Sequence, residues 1–165
     1  MKLPLLALLS FAFPFAACSQ PSGGKLHVYS RITIPGIRPV QELDTMPMPV
    51  TYYIYAEIKK AAKIVVQGYW LNGKFFTTST VSREKSPVLL TYNSAIRVQT
   101  DTLVKKIPGD LYRISEGVLA AREITNPQEK KAVTENQFVL LVTINGRSYL
   151  LRQKQIKELE PEAMM

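Results

Sequence analysis

The sequence predicts an all-β protein with a single antiparallel sheet domain, and three observations lead to this class. Two Asn-Gly pairs, Asn72-Gly73 and Asn145-Gly146, each separate two runs that are rich in β-branched and aromatic residues. Short strand-like runs recur along the rest of the chain at roughly regular spacing. The length of 165 residues and the hydrophobic content of 46% fit one domain with its own core.

The Asn-Gly pairs predict hairpins closed by type I′ turns. Both central residues of that turn need a positive φ, which Asn and Gly adopt at the least cost, and its twist matches the flanking strands. We therefore expect residues 64–71 to pair with 74–78, and residues 138–144 to pair with 147–151. The segment 139–142 is apolar at every position, so its strand is expected to be central and covered on both faces.

Other segments complete the predicted sheet. Residues 26–34, 51–58, 87–91 and 118–124 have strand composition. A further hairpin is predicted around Pro108-Gly109-Asp110, because these are turn-forming residues between two strand-like runs, 102–107 and 111–115. The total is about eight or nine strands, which is typical of an immunoglobulin-like β-sandwich or of a partly open barrel.

Little helix is predicted. Residues 126–133 favour one short helix, with Asn126 as its N-cap and Pro127 at its first position. Residues 152–159 are a second, weaker candidate. We expect residues 160–165 to fray, so that the β domain covers residues 26–159.

Aromatic residues supply the predicted core and one predicted ligand face. The expected core side chains are Trp70, Phe76, Phe138, Leu140, Val142 and Tyr149. Consecutive strand residues point to opposite faces, so Tyr52 and Tyr53 cannot both be interior. Tyr53 and Tyr55 share a face, where their rings could stack on a sugar or a peptide; the alternative is a position at the rim of the sandwich.

The N-terminus has the layout of a secretory signal peptide. Lys2 is followed by an uncharged stretch, residues 3–17, which ends in small residues and precedes a polar segment. A membrane-spanning helix needs about 20 apolar residues, and this stretch is shorter and contains Pro4 and Pro14. We therefore assign residues 1–17 to a signal peptide.

The end of that stretch, Phe15-Ala16-Ala17-Cys18, resembles the lipobox of bacterial lipoproteins, although Phe15 stands where Leu is usual. The resemblance implies cleavage before Cys18, lipid on the Cys18 thiol, and a tether over residues 18–25. Ser19 is not the Asp that retains some lipoproteins at the inner membrane, so the resemblance implies an outer-membrane location. The alternative is an ordinary secreted protein with a free Cys18 thiol.

The charge balance bears on the partners. The chain has 21 Lys and Arg against 13 Asp and Glu, a formal net charge of +8. The basic residues are dispersed, which fits a solvated surface, or attraction to an anionic envelope component or an acidic protein patch. We expect no nucleic-acid partner, because the chain is predicted to be exported and has no nucleic-acid-binding motif.

The reactive residues are few. One Cys and one His argue against a disulfide framework and a Cys/His zinc cluster. The segment 46–49 is Met-Pro-Met-Pro, and with His27 and Met164-Met165 it offers soft copper ligands that are too few and too far apart. We expect no metal and no other cofactor.

These observations predict a membrane-anchored envelope lipoprotein that is a non-enzymatic binding or accessory module. One alternative is a soluble periplasmic or secreted ligand-binding β protein. The other is a hydrolase that uses His27 or a carboxylate pair, although no nucleophile motif accompanies them.

Overall fold

The computed structural model describes residues 24–34, 47–59, 63–78, 80–94 and 97–163, and Cys18 and the predicted signal peptide lie outside them. The described part is mostly β-strand with one short helix, which confirms the all-β prediction. Short pieces raise the number of strands above the expected eight or nine. The strands are β1 Lys25–Ile34, β2 Val50–Ile58, β3 Ile64–Leu71, β4 Lys74–Thr77, β5 Val81–Glu84, β6 Val88–Asn93, β7 Val98–Val104, β8 Asp110–Ile114, β9 Val118–Leu119, β10 Phe138–Ile144, β11 Arg147–Gln153, β12 Lys157–Glu158 and β13 Glu162–Ala163, and the helix is α1 Pro127–Glu135.

Two sheets and one separate hairpin make up the domain. Sheet 1 has the order β12-β1-β2-β8-β5, and β13 also pairs with β1. Sheet 2 has the order β11-β10-β3-β4-β9, and β6 pairs with β7 alone. All pairings are antiparallel except those of β12 and β13, which run parallel to β1.

The two predicted Asn-Gly hairpins are confirmed. Asn72 and Asn145 have φ values of 48° and 50°, and the glycines that follow them are also at positive φ. The segment 139–142 is buried along β10, as expected of a central strand. The strand opposite carries a bulge: Gly68 pairs with Leu141 while Val66 pairs with Val142.

Three apolar clusters separate four layers. The largest lies between the two sheets and includes Phe138, Leu140 and Val142. The second, around Trp70, packs α1 and the chain before it onto the outer face of sheet 2. The third packs the β6–β7 hairpin onto the outer face of sheet 1. Of the predicted core residues, Trp70 and the three named above are buried, whereas Phe76 and Tyr149 are half-buried against the first cluster.

One bent ribbon joins the sheets along an edge. The pairing of β4 with β9 in sheet 2, which includes Phe76–Leu119, continues in the same register into the pairing of β5 with β8 in sheet 1, which ends at Glu84–Leu111. Between them, Ser115 N donates to Thr80 O at 3.1 Å. The pairs β4–β9 and β5–β8 are therefore two halves of a single antiparallel ladder that bends from one sheet into the other.

Three sequence predictions are wrong. No hairpin forms at Pro108-Gly109-Asp110, because β7 pairs with β6 while β8 pairs with β2 and β5. The helix expected over 152–159 is instead the end of β11 followed by β12, which pairs with β1. The tail does not fray at Glu162, because β13 pairs with β1. The predicted helix at Asn126 is confirmed, and the Asn126 side chain accepts from Gln128 N at 2.8 Å.

Candidate functional site

Sheet 1 carries a groove where the end of β8 meets β2 and β5. It has a volume of about 390 Å³, and Tyr53 and Arg113 are among its lining residues. Arg113 pairs with Tyr55 on one side and with Ser82 on the other, so these side chains share the outer face. Tyr52 and Ile114 also line it, and the remaining hydroxyl and carboxylate groups come from Thr51, Thr80, Ser82, Ser115 and Glu116.

The two tyrosines of the predicted ligand face have different environments. Tyr55 is only 4% exposed, because Leu103, Val104 and Leu111 pack over it. The expectation that its ring faces a ligand is therefore wrong. Tyr53 is half-buried and lines the groove. The prediction of a ligand-binding ring remains at Tyr53.

Arg31 is the most buried charged residue that the structure describes, with 1% of its surface exposed. Its Nη2 donates to Asp101 Oδ2 at 3.2 Å and its Nε donates to Glu160 O at 3.1 Å. The guanidinium carbon lies 3.7 Å from the centre of the Tyr92 ring and 5.9 Å from that of Tyr53. One residue of β1 thus holds both the hairpin and the C-terminal segment.

One nitrogen of the Arg31 side chain lacks a hydrogen-bond partner, and the neighbouring Tyr92 hydroxyl has a raised pKa. Arg31 Nη1 is buried without a hydrogen-bond partner. Burial raises the pKa of the Tyr92 hydroxyl above its usual value, and the negative charges of Asp101 and Glu160 raise it further. Because an unpaired buried donor is costly, the cluster must be held by the packing of the hairpin around it.

His27 has a carboxylate neighbour. Its Nε2 lies 3.3 Å from Glu57 Oε2, and both side chains are half-buried on adjacent strands β1 and β2. This acid is the partner that a hydrolase site at His27 would need. The contact joins adjacent strands, since Glu57 pairs with Lys25 and His27 pairs with Tyr55. No nucleophile contacts His27 among the hydrogen bonds of residues 24–163 that the structure describes.

The described ranges contain no candidate metal centre and no candidate membrane-spanning helix. Within them, no three His, Cys, Asp or Glu side chains lie close enough together to bind a metal ion. Of the possible copper ligands named from the sequence, Met46, Met164 and Met165 lie outside these ranges. The same part of the chain has no helix that is both long and apolar enough to cross a bilayer.

No family model matches this chain, and no curated protein or solved structure matches it either.

Sequence reasoning missed Arg31 and Arg113. The signal for Arg113 was present, because it stands between Tyr112 and Ile114 and strand alternation sends it to the opposite face. Arg31 shares one face of β1 with Tyr29, which pairs with Tyr53, and the local sequence suggests that this face is exposed to solvent. The position is buried by the β6–β7 hairpin, whose Asp101 is 70 residues away from Arg31 along the chain.

Proposed function

We propose that the chain is an envelope lipoprotein, anchored through Cys18, whose β domain is a non-enzymatic module that binds an anionic envelope component. The groove at Tyr53 and Arg113 carries the binding part of this proposal. An aromatic ring, a guanidinium and several hydroxyls in one lining suit a ligand with an apolar face, polar groups and negative charge, such as an acidic saccharide. The Glu116 carboxylate of the same lining already accepts from Tyr52 N at 2.6 Å.

The anchoring part is supported by the position of Cys18. It is the single cysteine of the chain and follows Phe15-Ala16-Ala17. The first strand begins at Lys25, so a short Ser, Gly and Pro segment separates the lipid site from the domain. Several acyl chains at Cys18 would hold the domain durably, since each buried CH₂ contributes about 0.8 kcal/mol.

The anchor is tested by expressing the full chain in bacterial cells and measuring the mass of the N-terminal peptide in each cell fraction. We expect a peptide that starts at Cys18, carries acyl mass and is found with the membranes. Cys18→Ala should abolish both the added mass and the membrane attachment. An unmodified N-terminus in the soluble fraction contradicts the anchor and favours the alternative, a diffusible ligand-binding protein.

The groove is tested by co-sedimentation with insoluble cell-wall glycan. Tyr53→Ala and Arg113→Gln should each weaken binding about tenfold, which corresponds to about 1.4 kcal/mol. Arg152→Gln is the matched control, since Arg152 is exposed on β11 in the other sheet and away from the groove. Equal binding by all four proteins would remove the groove from the proposal, and no binding by the native chain would exclude this glycan as the ligand.

A further inference from the structure

We propose that the end of the domain where the tether enters docks on the anionic headgroups of a lipid bilayer. The docking surface is a set of six lysines, named here the lysine collar: Lys25, Lys59, Lys63, Lys85, Lys105 and Lys106. This inference rests on the proposed anchoring through Cys18, because the anchor is what brings that end of the domain to a membrane.

The strand register of sheet 1 brings four of its chain segments to one end. Lys25 begins β1 and pairs with Glu57, one residue before the end of β2, so Lys59 follows at the same end. Ile58 pairs with Asp110, which begins β8, and a Cβ at Gly109 would lie 3.0 Å from Ile58 O. The short connection into β8 carries Lys105 and Lys106. Lys85 follows β5, whose last residue, Glu84, pairs with Leu111 near the start of β8.

Sheet 2 adds Lys63 at this end. Lys63 O accepts from Asn145 N at 3.0 Å, so the residue lies beside the β10–β11 turn. The connection from β2 to β3 is short, since β2 ends at Ile58 and β3 begins at Ile64. The turn therefore lies near the end of β2, and it contributes one more exposed cation, Arg147.

The positive charge at this end is largely uncompensated. All six lysines are exposed, and none of them is in an ion pair in the ranges that the structure describes. The nearby acids are half-buried: Glu57 contacts His27, Asp110 pairs with Arg83, and Glu84 ends β5.

The far end of sheet 1 has the opposite balance. It carries Asp101, Glu116, Glu160 and Glu162, against Arg97, Arg113 and the buried Arg31. The charges of this sheet are therefore separated along its strands, with the positive end where the tether joins.

The tether determines which end of the charge-separated sheet lies near the membrane. Residues 18–24 span at most about 25 Å when fully extended, so an acyl chain on Cys18 keeps the lysine collar close to the bilayer surface. Headgroup attraction acts within a Debye length of about 10 Å at 0.1 M salt. Each lysine held in that layer strengthens binding to anionic lipid by about fivefold. The anchor supplies a high local concentration, and the collar then fixes which end of the domain faces the lipid.

The test uses the full, lipidated chain reconstituted into vesicles that carry a headgroup energy acceptor. A donor dye is attached at Ser148→Cys, near the collar, or at Val98→Cys, an exposed position at the start of β7 by the hairpin turn. In phosphatidylglycerol vesicles, we expect strong transfer from Ser148→Cys and weak transfer from Val98→Cys. In phosphatidylcholine vesicles, or in high salt, the difference between the two positions should be lost.

Two charge variants of equal size decide whether position matters. Replacing Lys59, Lys63, Lys105 and Lys106 by Gln should reduce transfer from Ser148→Cys to the phosphatidylcholine level. The matched control replaces four lysines by Gln at the α1 end of sheet 2, namely Lys74, Lys130, Lys131 and Lys154, and should keep the native transfer. Circular dichroism checks that both variants are folded.

Each outcome has one meaning. The docking proposal is contradicted if energy transfer from Ser148→Cys is equal in phosphatidylglycerol and phosphatidylcholine vesicles. It is also contradicted if the control variant loses as much transfer as the collar variant. A chain that carries no acyl mass and leaves the vesicles altogether contradicts the proposed anchoring, and this is recognised before any transfer is measured.

Discussion

The side chain of Gln153 pairs with both backbone groups of Val28. Its Oε1 accepts from Val28 N at 2.9 Å, and its Nε2 donates to Val28 O at 2.9 Å. Gln153 ends β11 in sheet 2, and Val28 lies in β1 next to the residue where pairing with β12 begins. A carboxamide thus takes the place of a neighbouring strand and links the two sheets on the side opposite the bent ribbon.

Replacing this carboxamide should destabilise the domain. Gln153→Leu leaves the N and O of the buried Val28 without these partners, and an unpaired buried group costs about 1–3 kcal/mol. We expect a loss in that range in urea unfolding. Gln155→Leu is the control, since Gln155 is exposed and contributes only its backbone carbonyl, which accepts from Gln153 Nε2. A loss below about 0.5 kcal/mol for Gln153→Leu would mean that water replaces the amide freely.

The ion pair of Arg31 and Asp101 should respond unequally to the loss of either partner. Asp101→Asn leaves a guanidinium that is 1% exposed without its counter-ion, and we expect a loss of about 3–5 kcal/mol. Arg31→Met leaves a carboxylate that is 35% exposed and can be hydrated, so its loss should be smaller. The measurement is chemical unfolding of the two variants and of Arg97→Gln, an exposed control on the same hairpin. A larger loss of stability for Arg31→Met than for Asp101→Asn would contradict the role of Asp101 as the counter-ion of the buried Arg31.

Two glycines at positive φ should tolerate alanine very differently. A Cβ at Gly68 would lie 2.5 Å from Phe76 O and against the Phe75 ring, whereas a Cβ at Gly73 would meet nothing within 4 Å. Gly73→Ala should therefore cost only the backbone strain, about 1–2 kcal/mol. Gly68→Ala should add the displacement of β4 and lower the melting temperature much further. Similar melting temperatures for the two variants would show that the bulge is compliant.

Stability should fall in alkaline solution. Burial raises the pKa of Tyr29, Tyr55, Tyr69 and Tyr92 above the ordinary value of 10.0. Because the folded-state pKa lies above the unfolded one, this contribution to stability is complete below pH 10 and is lost as the pH rises through the folded values. We expect part of the tyrosinate absorbance to appear only together with the loss of the near-ultraviolet dichroism. Full ionisation of all eight tyrosines in the folded protein would contradict this.

The elements that the sequence predicts well are governed by neighbouring residues. The Asn-Gly turns need only their own positive φ, and the α1 cap needs only Asn126 and the amide of Gln128. Strand β10 was predicted as central because residues 139–142 are apolar at every position. In each case the signal lies within a few consecutive residues, even though β10 then pairs with the distant strand β3.

The elements that were missed depend on distant segments. Pro108-Gly109-Asp110 has turn chemistry, yet the chain there passes from the hairpin layer into sheet 1 against Ile58. Gln153 leaves the predicted helix because its partner, Val28, is 125 residues away. Strand alternation predicts one residue of the candidate groove, Tyr53. The burial of Tyr55 depends on the β6–β7 hairpin, whose docking no local pattern encodes.

The place where β1 begins has a mechanical consequence. The chain enters the domain at Lys25, and β1 then pairs with β2 over eight consecutive residue pairs, from Lys25–Glu57 to Ile32–Val50. A force applied through the N-terminal segment along this strand stretches those hydrogen bonds side by side in shear instead of opening them one after another. The domain is therefore built to resist tension from that direction, and peeling from the β13 edge would be its weak direction.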